Sequence, residues 1–256
     1  MAEAICRSLI TSVFYKPAQL AAADISEQRK DFFKSEFGVF ICKNNLLLAE
    51  QSENIILAVK PQQVPDLLEQ IKPVISQDQL IISIAAGIST NFIESKLQKS
   101  IPVIRTMPNT PLMIGAGTTA LCQGKFATTE QLEFTKSIFA ASGVTLIVPE
   151  NLMDAVTAVS GSGPAYFFYL VEAMVQAAIS LGISPDDAIK LASNTALGAA
   201  KMLQQPNTDP ELLRRKVTSP GGTTEAAICV LDADQVNNSF IKAITAAAER
   251  SRGLGK

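Results

Sequence analysis

The sequence predicts an α/β fold, a doubly wound parallel sheet followed by an all-helical region, on three observations. The first 149 residues alternate short β-rich runs with helical patterns. Several of those runs are apolar without interruption, as strands are when both sheet faces are covered. After Pro149 no strand pattern recurs.

The opening segment, MAEAICRSLI, is amphipathic, and its apolar run is too short for a secretory signal. Strands are expected at 19–24, 39–42, 54–59, 80–85, 103–107, 118–122 and 144–148. Between them Val64, Leu67, Leu68 and Ile71 form one helical stripe. Thr128 and Gln131 fit a capping box, with Gly143 placed as that helix's stop. Strand-helix alternation at this pitch implies parallel βαβ units.

In the second half Pro164 opens a helix that reaches a stop at Gly182, and Ser184-Pro185 opens the next. Pro206 ends it, and Asp209-Pro210 begins a short third helix. Another is expected after Gly222, and a last one over about 238–253. The helix at 165–181 is apolar almost all round, so it must be buried on all sides, and a partner subunit is expected to cover what this chain cannot. The boundary falls at 149/150, giving domains 1–149 and 150–256.

Composition narrows the chemistry. Hydrophobic residues are 47% and charged residues 18% of the 256, which excludes disorder, and a net charge of −2 provides no basic field for nucleic acid. There is no histidine, hence no catalytic triad and no imidazole metal site; no metal is expected. The cysteines stand apart at Cys6, Cys42, Cys122 and Cys229, read as reduced thiols of a cytoplasmic protein. The greasiest stretch, 165–181, contains Glu172 and Gln176 and falls short of a membrane span.

Four turns carry the functional information. Ala58-Val59-Lys60-Pro61 ends a buried strand, where ligands sit in open α/β sheets, though a plain strand end reads the same way. Arg105-Thr106-Met107-Pro108-Asn109-Thr110-Pro111 is a proline-stiffened polar loop, either a rigid turn or a site. Ser160-Gly161-Ser162-Gly163-Pro164 is a small-residue turn at the junction of the halves. Val217-Thr218-Ser219-Pro220-Gly221-Gly222-Thr223-Thr224-Glu225 puts glycines and hydroxyls at a helix start, either a carboxylate cradle or an ordinary capped helix.

Taken together, AVKP, SIAAG, RTMPNTP, SGSGPAY, LGAAKM and VTSPGGTT, in this order and spacing, resemble pyrroline-5-carboxylate reductase, the last enzyme of proline biosynthesis, over essentially the whole chain. The resemblance implies a Rossmann-like domain, an all-α dimerisation domain, and reduction of 1-pyrroline-5-carboxylate to L-proline with NADPH or NADH. It implies a homodimer, open to assembly of dimers, with no nucleic-acid or membrane partner. By the same resemblance Asn45, Ala58, Val59, Lys60 and Pro61 contact the cofactor's ribose and phosphate region, Ile84, Ala85 and Ala86 let it lie against the sheet, and Asn109 and Thr110 flank the nicotinamide. Ser219, Gly221, Gly222, Thr223 and Thr224 bind the substrate carboxylate, with Thr224, the candidate catalytic residue, near the ring nitrogen. Asn207 departs from relatives that carry glutamate there.

Such a reaction suits a protein without histidine. A cyclic imine is basic enough to arrive protonated, so the protein has to orient and desolvate rather than supply a strong acid. Asp24, ending the second strand position, is placed to bond a ribose 2′-hydroxyl, while Ser26 and Arg29 lie near enough to offset it. The rivals are a β-hydroxyacid-type dehydrogenase relying on Lys201, and a truncated non-catalytic copy of the reductase.

The family's first strand and Gly-x-Gly-Asn segment, which precede Met-Ala-Glu-Ala in relatives, lie outside this sequence, which opens at Met1-Ala2-Glu3-Ala4. Asp24 stands 22 positions after Ala2, near the separation of about 20 usual in dinucleotide folds. The expectation is therefore that the native chain starts about 10–20 residues earlier and that the 256-residue form binds dinucleotide poorly.

Overall fold

The structure, a computed structural model, describes residues 1–255. These form two compact units, one of 1–162 with 246–255 and one of 163–245. In the first unit the order is α1 (Ala2–Thr11), β1 (Ala21–Ala22), α2 (Glu27–Phe37), β2 (Phe40–Ile41), α3 (Asn45–Gln51), β3 (Asn54–Leu57), α4 (Val64–Ile71), β4 (Leu80–Ser83), α5 (Thr90–Leu97), β5 (Val103–Pro108), β6 (Gly117–Gln123), α6 (Thr129–Ala140), β7 (Gly143–Ile147) and α7 (Met153–Val156).

β1 and β2 pair in parallel as a small sheet, and β3-β4-β5-β6-β7 form a second in that order. The side chains of the second sheet explain why its strands read as unbroken apolar runs. Ile55, Leu57, Ile81 and Val103 face a core with Val64, Leu68 and Ile71 of α4 and Ile93 and Leu97 of α5. Their neighbours Leu80, Ile82 and Ile104 face the opposite core, with Ala4, Ile5 and Leu9 of α1 and Leu132, Ile138 and Phe139 of α6. Along β3, β4 and β5 alternate residues thus enter two different cores, and both faces are covered there, whereas Val144, Leu146 and Ile147 of β7 are exposed.

The two sheets share no ladder; α1 links them. Its Ala4, Ile5 and Leu9 pack on the five-stranded sheet, while Ala2, Cys6 and Ile10 pack on a cluster of Phe33, Phe37, Val39, Ala22 and Ile41 beside the small sheet.

Four expectations need correction. The strand at 19–24 is only Ala21–Ala22. The sheet is not wholly parallel: β5 and β6 are antiparallel, with Thr106 opposite Leu121. The segment between them holds only a five-residue 3-10 helix, Thr110–Ile114, too short for a parallel crossover, which takes a dozen residues or more. Gly143 does not stop α6, which ends at Ala140; it begins β7 at φ 147, where a Cβ would collide with Gly117. Finally, the Ser160–Pro164 turn is helical. Thr157–Gly161 is one π-helical turn, closed by Ser162 N–H donating to the Thr157 carbonyl at 2.8 Å, and Gly163 begins the next helix.

The remaining helices are α8 (Gly163–Ser180), α9 (Pro185–Leu203), α10 (Pro210–Lys216), α11 (Thr223–Ala233) and α12 (Val236–Leu254). α8 and α9 pack as a pair, and α12 runs on into the first unit from Ala246. On α8, Phe167, Phe168 and Tyr169 are 61%, 67% and 73% exposed within the single chain, where the apolar pattern predicts burial on all sides. No helix among the described residues is long and apolar enough to cross a membrane.

Candidate functional site

In the first unit most of the candidate cofactor residues gather at the carboxyl end of the five-stranded sheet, while Asp24 and Asn45 follow β1 and β2 of the small sheet. Leu57 of β3, Ser83 of β4 and Arg105 of β5 stand in register, and the three strands are parallel. Ala58–Pro61 and Ile84–Ala86 therefore leave the carboxyl ends of adjacent strands, where open α/β sheets bind ligands. β5 continues three residues beyond Arg105, about 10 Å, so Asn109 and Thr110 lie past that edge.

Each of these residues has a definite local setting. Lys60 is exposed and has no ion pair among the described residues, and its backbone N–H donates to Gln63 Oε1 at 3.3 Å. Ala85 is buried, Ile84 and Ala86 half-buried. Asn45 opens α3 and its amide donates to Gln70 of α4 at 3.1 Å, while Asn44, its neighbour, caps the helix by accepting from Leu47 N–H at 2.9 Å. Asn109 is buried and fully engaged: Oδ1 accepts from Thr118 N–H at 2.8 Å, and Nδ2 donates to the Ser160 carbonyl at 3.2 Å. Its side chain ties the RTMPNTP loop to the π-helical turn. Thr110 is exposed.

Two features of this unit escaped the sequence reading. Arg105 is buried and pairs with Glu150 at 3.5 Å and Asp154 at 3.6 Å. Glu150 also accepts from Thr90 N–H and Oγ1, both at 2.7 Å, and Asp154 accepts from Ser251 Oγ at 2.7 Å. The base of the loop is thus bolted to α5, α7 and α12. The signal was present: an arginine inside an apolar strand demands carboxylates, and Glu150 and Asp154 stand four apart. The second feature is Gly87, at φ 77, where a Cβ would lie 2.5 Å from the Ser251 carbonyl. The glycine after Ala85-Ala86 therefore admits α12.

In the second unit, Ser219–Gly222 is a type II turn. Gly222 N–H donates to the Ser219 carbonyl at 3.0 Å, Pro220 takes the second position and Gly221 the third at φ 71, which only glycine adopts freely. The turn delivers Gly222 to the N-cap of α11, where no side chain caps the helix. The first intrahelical bond is Ala226 N–H to the Gly222 carbonyl at 3.2 Å, so the N–H groups of Thr223, Thr224 and Glu225 have no helical acceptor. Gly221 N–H donates to Glu225 Oε2 at 2.7 Å.

The serine and threonine hydroxyls of this loop differ from the other serines and threonines described in the unit. Ser180, Ser184, Ser193, Thr195, Thr208, Thr218, Ser239 and Thr245 each donate to a backbone carbonyl or a carboxylate. Among the described residues, Ser219, Thr223 and Thr224 have no such bond. Unclaimed N–H groups beside unclaimed hydroxyls, at the positive end of an 11-residue helix, form a donor-rich surface suited to a carboxylate. Lys201, the residue of the dehydrogenase rival, is in the last turn of α9, where a cation complements the helix dipole.

Comparisons with known proteins bear on the family of the chain. Residues 150–254 match a family model for pyrroline-5-carboxylate reductase dimerisation, and residues 1–87 one for NADP oxidoreductase, coenzyme F420-dependent. The chain is 40% identical to the pyrroline-5-carboxylate reductase of Synechocystis, over all of this chain and 95% of that one. It is similar to the solved reductase of Coxiella burnetii at 38% identity and TM-score 0.89, covering 100% of this chain and 95% of that chain. The Plasmodium falciparum pyrroline carboxylate reductase, solved with NADP bound, matches at 26% identity and TM-score 0.91, covering 99% and 94%. The chain belongs to the pyrroline-5-carboxylate reductase family.

Proposed function

We propose that this protein reduces 1-pyrroline-5-carboxylate to L-proline with NADPH or NADH, and that the Ser219–Thr224 loop holds the substrate. Residues 1–149 serve as the dinucleotide domain and 150–256 as the substrate and dimerisation domain of a cytoplasmic homo-oligomer paired through α8. The dinucleotide supplies hydride when bound. The residues at the carboxyl ends of β3 and β4 fit such a group, an exposed Lys60 cation for its phosphates and the small side chains of Ala58 and Ala86, as does the acidic Asp24 beyond β1 of the small sheet.

The observation that carries the reading is the set of unclaimed donors in the loop. The backbone N–H groups of Thr223 and Thr224 and the Ser219 and Thr223 hydroxyls receive the substrate carboxylate, and Gly221 and Gly222 keep the approach clear. Thr224 Oγ1 bonds the ring nitrogen and orients the imine. Fixing a charged carboxylate removes rotational freedom, and exclusion of water strengthens each bond. Asn109, held by Thr118 and Ser160, presents a rigid wall rather than a free amide. The test is to incubate the natural full-length protein with 1-pyrroline-5-carboxylate and each reduced dinucleotide, following nicotinamide absorbance and L-proline. Proline formed in step with cofactor oxidation is expected; a protein that binds both ligands without turnover would identify a non-catalytic copy.

A further inference from the structure

We propose that Thr90, Glu150 and Ser251 are positioning residues for the dinucleotide: tied together by Arg105, they hold the segment between β4 and α5, Ile84–Ser89, in the shape that receives it. The inference rests on the reductase reading above, in which Ile84, Ala85 and Ala86 let the cofactor lie against the sheet. All the groups involved belong to the first unit.

The segment is gripped at its start, middle and end. At its start, Ile84 N–H donates to the Leu57 carbonyl at 3.2 Å, Ala85 N–H to Ser83 Oγ at 3.3 Å, and Thr106 Oγ1 to the Ser83 carbonyl at 3.2 Å. In its middle, Gly87 lies so close to the last turn of α12 that a Cβ would also meet Leu254 Cβ at 2.8 Å and the Gly255 nitrogen at 3.3 Å. At its end, Thr90 opens α5 and gives both its N–H and its hydroxyl to Glu150. A helix start of this kind attracts an anion, and here the chain supplies its own. Ala85 and Ile88 are buried in the core with α4 and α5, which leaves Ala86 as the outward residue.

The grips are linked through Arg105. Its Nη1 reaches Glu150 Oε1 and its Nη2 reaches Asp154 Oδ1, and those same two oxygens accept from Thr90 N–H and from Ser251 Oγ. One planar cation thus ties the start of α5 to the last turn of α12, with Gly87 between them. Two carboxylates alone would satisfy a buried arginine; the further bonds to Thr90 and Ser251 carry its rigidity to the segment. Loosening a grip lowers the fraction of molecules in the receiving shape, and apparent affinity falls with that fraction.

Dissociation constants for NADH and NADPH, measured by fluorescence titration of the natural full-length protein well below its Tm, test this. Ser251→Ala and Thr90→Val each remove one hydroxyl bond. Each is expected to weaken both dinucleotides alike, by about three- to tenfold, with KM for 1-pyrroline-5-carboxylate at saturating cofactor unchanged. Thr90→Ser keeps the hydroxyl and is expected to restore the affinity of the unaltered protein. A fall in Tm with unaltered dissociation constants in both variants, or an equal rise in the pyrroline KM, would overturn the positioning role and leave the reductase reading standing. Binding of neither dinucleotide by the unaltered protein would overturn both. Should Ser251→Ala fail to fold, the Thr90→Val and Thr90→Ser pair decides.

Discussion

In the first unit Leu57, Leu68, Ile81, Ile93 and Ile104 are almost completely shielded, each within a core shared by strands and helices. In the unit of 163–245 the buried side chains among the described residues are those of Ala188 and Ala192, while Phe167, Phe168, Tyr169 and Leu170 stand 48–73% exposed. The two units are comparably apolar in sequence; they differ in where the covering surface comes from. The βαβ units of the first bring strand and helix faces together within one chain. The second has no sheet, and its apolar helix has too few neighbours of its own. Burying six large apolar side chains is worth on the order of 10 kcal/mol, comparable to a whole domain's stability, so the second unit needs a second copy.

The largest effect should come from breaking that missing surface. Replacing Phe167 and Phe168 together with glutamate puts charges where a partner must sit, and dimer dissociation should strengthen by a thousandfold or more, on the order of 4 kcal/mol. Sedimentation velocity at micromolar concentration reads the outcome; an unchanged dimer would place the interface elsewhere.

Next in size is the substrate loop. Thr224→Ala removes one hydrogen bond to a charged group, about 1.5–3 kcal/mol, and should lower kcat/KM by about one to two orders of magnitude. Gly222→Val should raise KM with a smaller effect on thermal stability, since an added Cβ meets the Ser219 carbonyl and hydroxyl at 3.0 Å. Unaltered steady-state kinetics in both variants would reduce the loop to a helix start.

The first unit should answer through stability instead. Asn109→Ala leaves the Thr118 N–H and the Ser160 carbonyl without their partner, at a cost of about 1–3 kcal/mol and several degrees of Tm. A loss of activity with no loss of Tm would show that Asn109 faces ligand rather than scaffold.

The smallest effect concerns Glu94, buried and accepting from Lys125 N–H at 2.8 Å. Desolvation, helped by the charge of Glu150, raises its carboxyl above the usual range. A raised acid binds its proton more tightly in the folded chain, so its contribution is full below the unfolded pKa and fades as pH rises through the folded value. Glu94→Gln should therefore gain thermal stability relative to the unaltered protein at neutral pH and lose that advantage under acid conditions. Parallel Tm-against-pH curves for the two proteins would contradict this.

Much of this was legible in the residues. All seven strands lie within or against the predicted runs, and in β3, β4 and β5 the cause is that a strand covered on both faces must be apolar at successive positions. The β5–β6 reversal was not read, although the eight residues of 109–116 were too few for a crossover. The π-helical turn at Thr157–Gly161 was hidden by its small residues, which read equally well as a hinge. At the site, Pro220-Gly221 announced the turn, but that Ser219, Thr223 and Thr224 leave their hydroxyls free depends on geometry. Sequence could not distinguish Asn109 as a strap from Asn109 as a ligand group, because the partner, Ser160, is 51 residues away.

The central claim is that the free donors of the second unit hold the substrate by its carboxylate. It is tested most directly by comparing 1-pyrroline-5-carboxylate with 1-pyrroline, the same imine ring without the carboxylate, in the unaltered protein and in Ser219→Ala. Two charge-assisted bonds at about 1.5–3 kcal/mol each imply that removing the carboxylate lowers kcat/KM by about a hundredfold to ten-thousandfold. Ser219→Ala should impair the carboxylate substrate and leave the bare ring unaffected. Equal kcat/KM for the two rings, or equal loss on both in the variant, would contradict it.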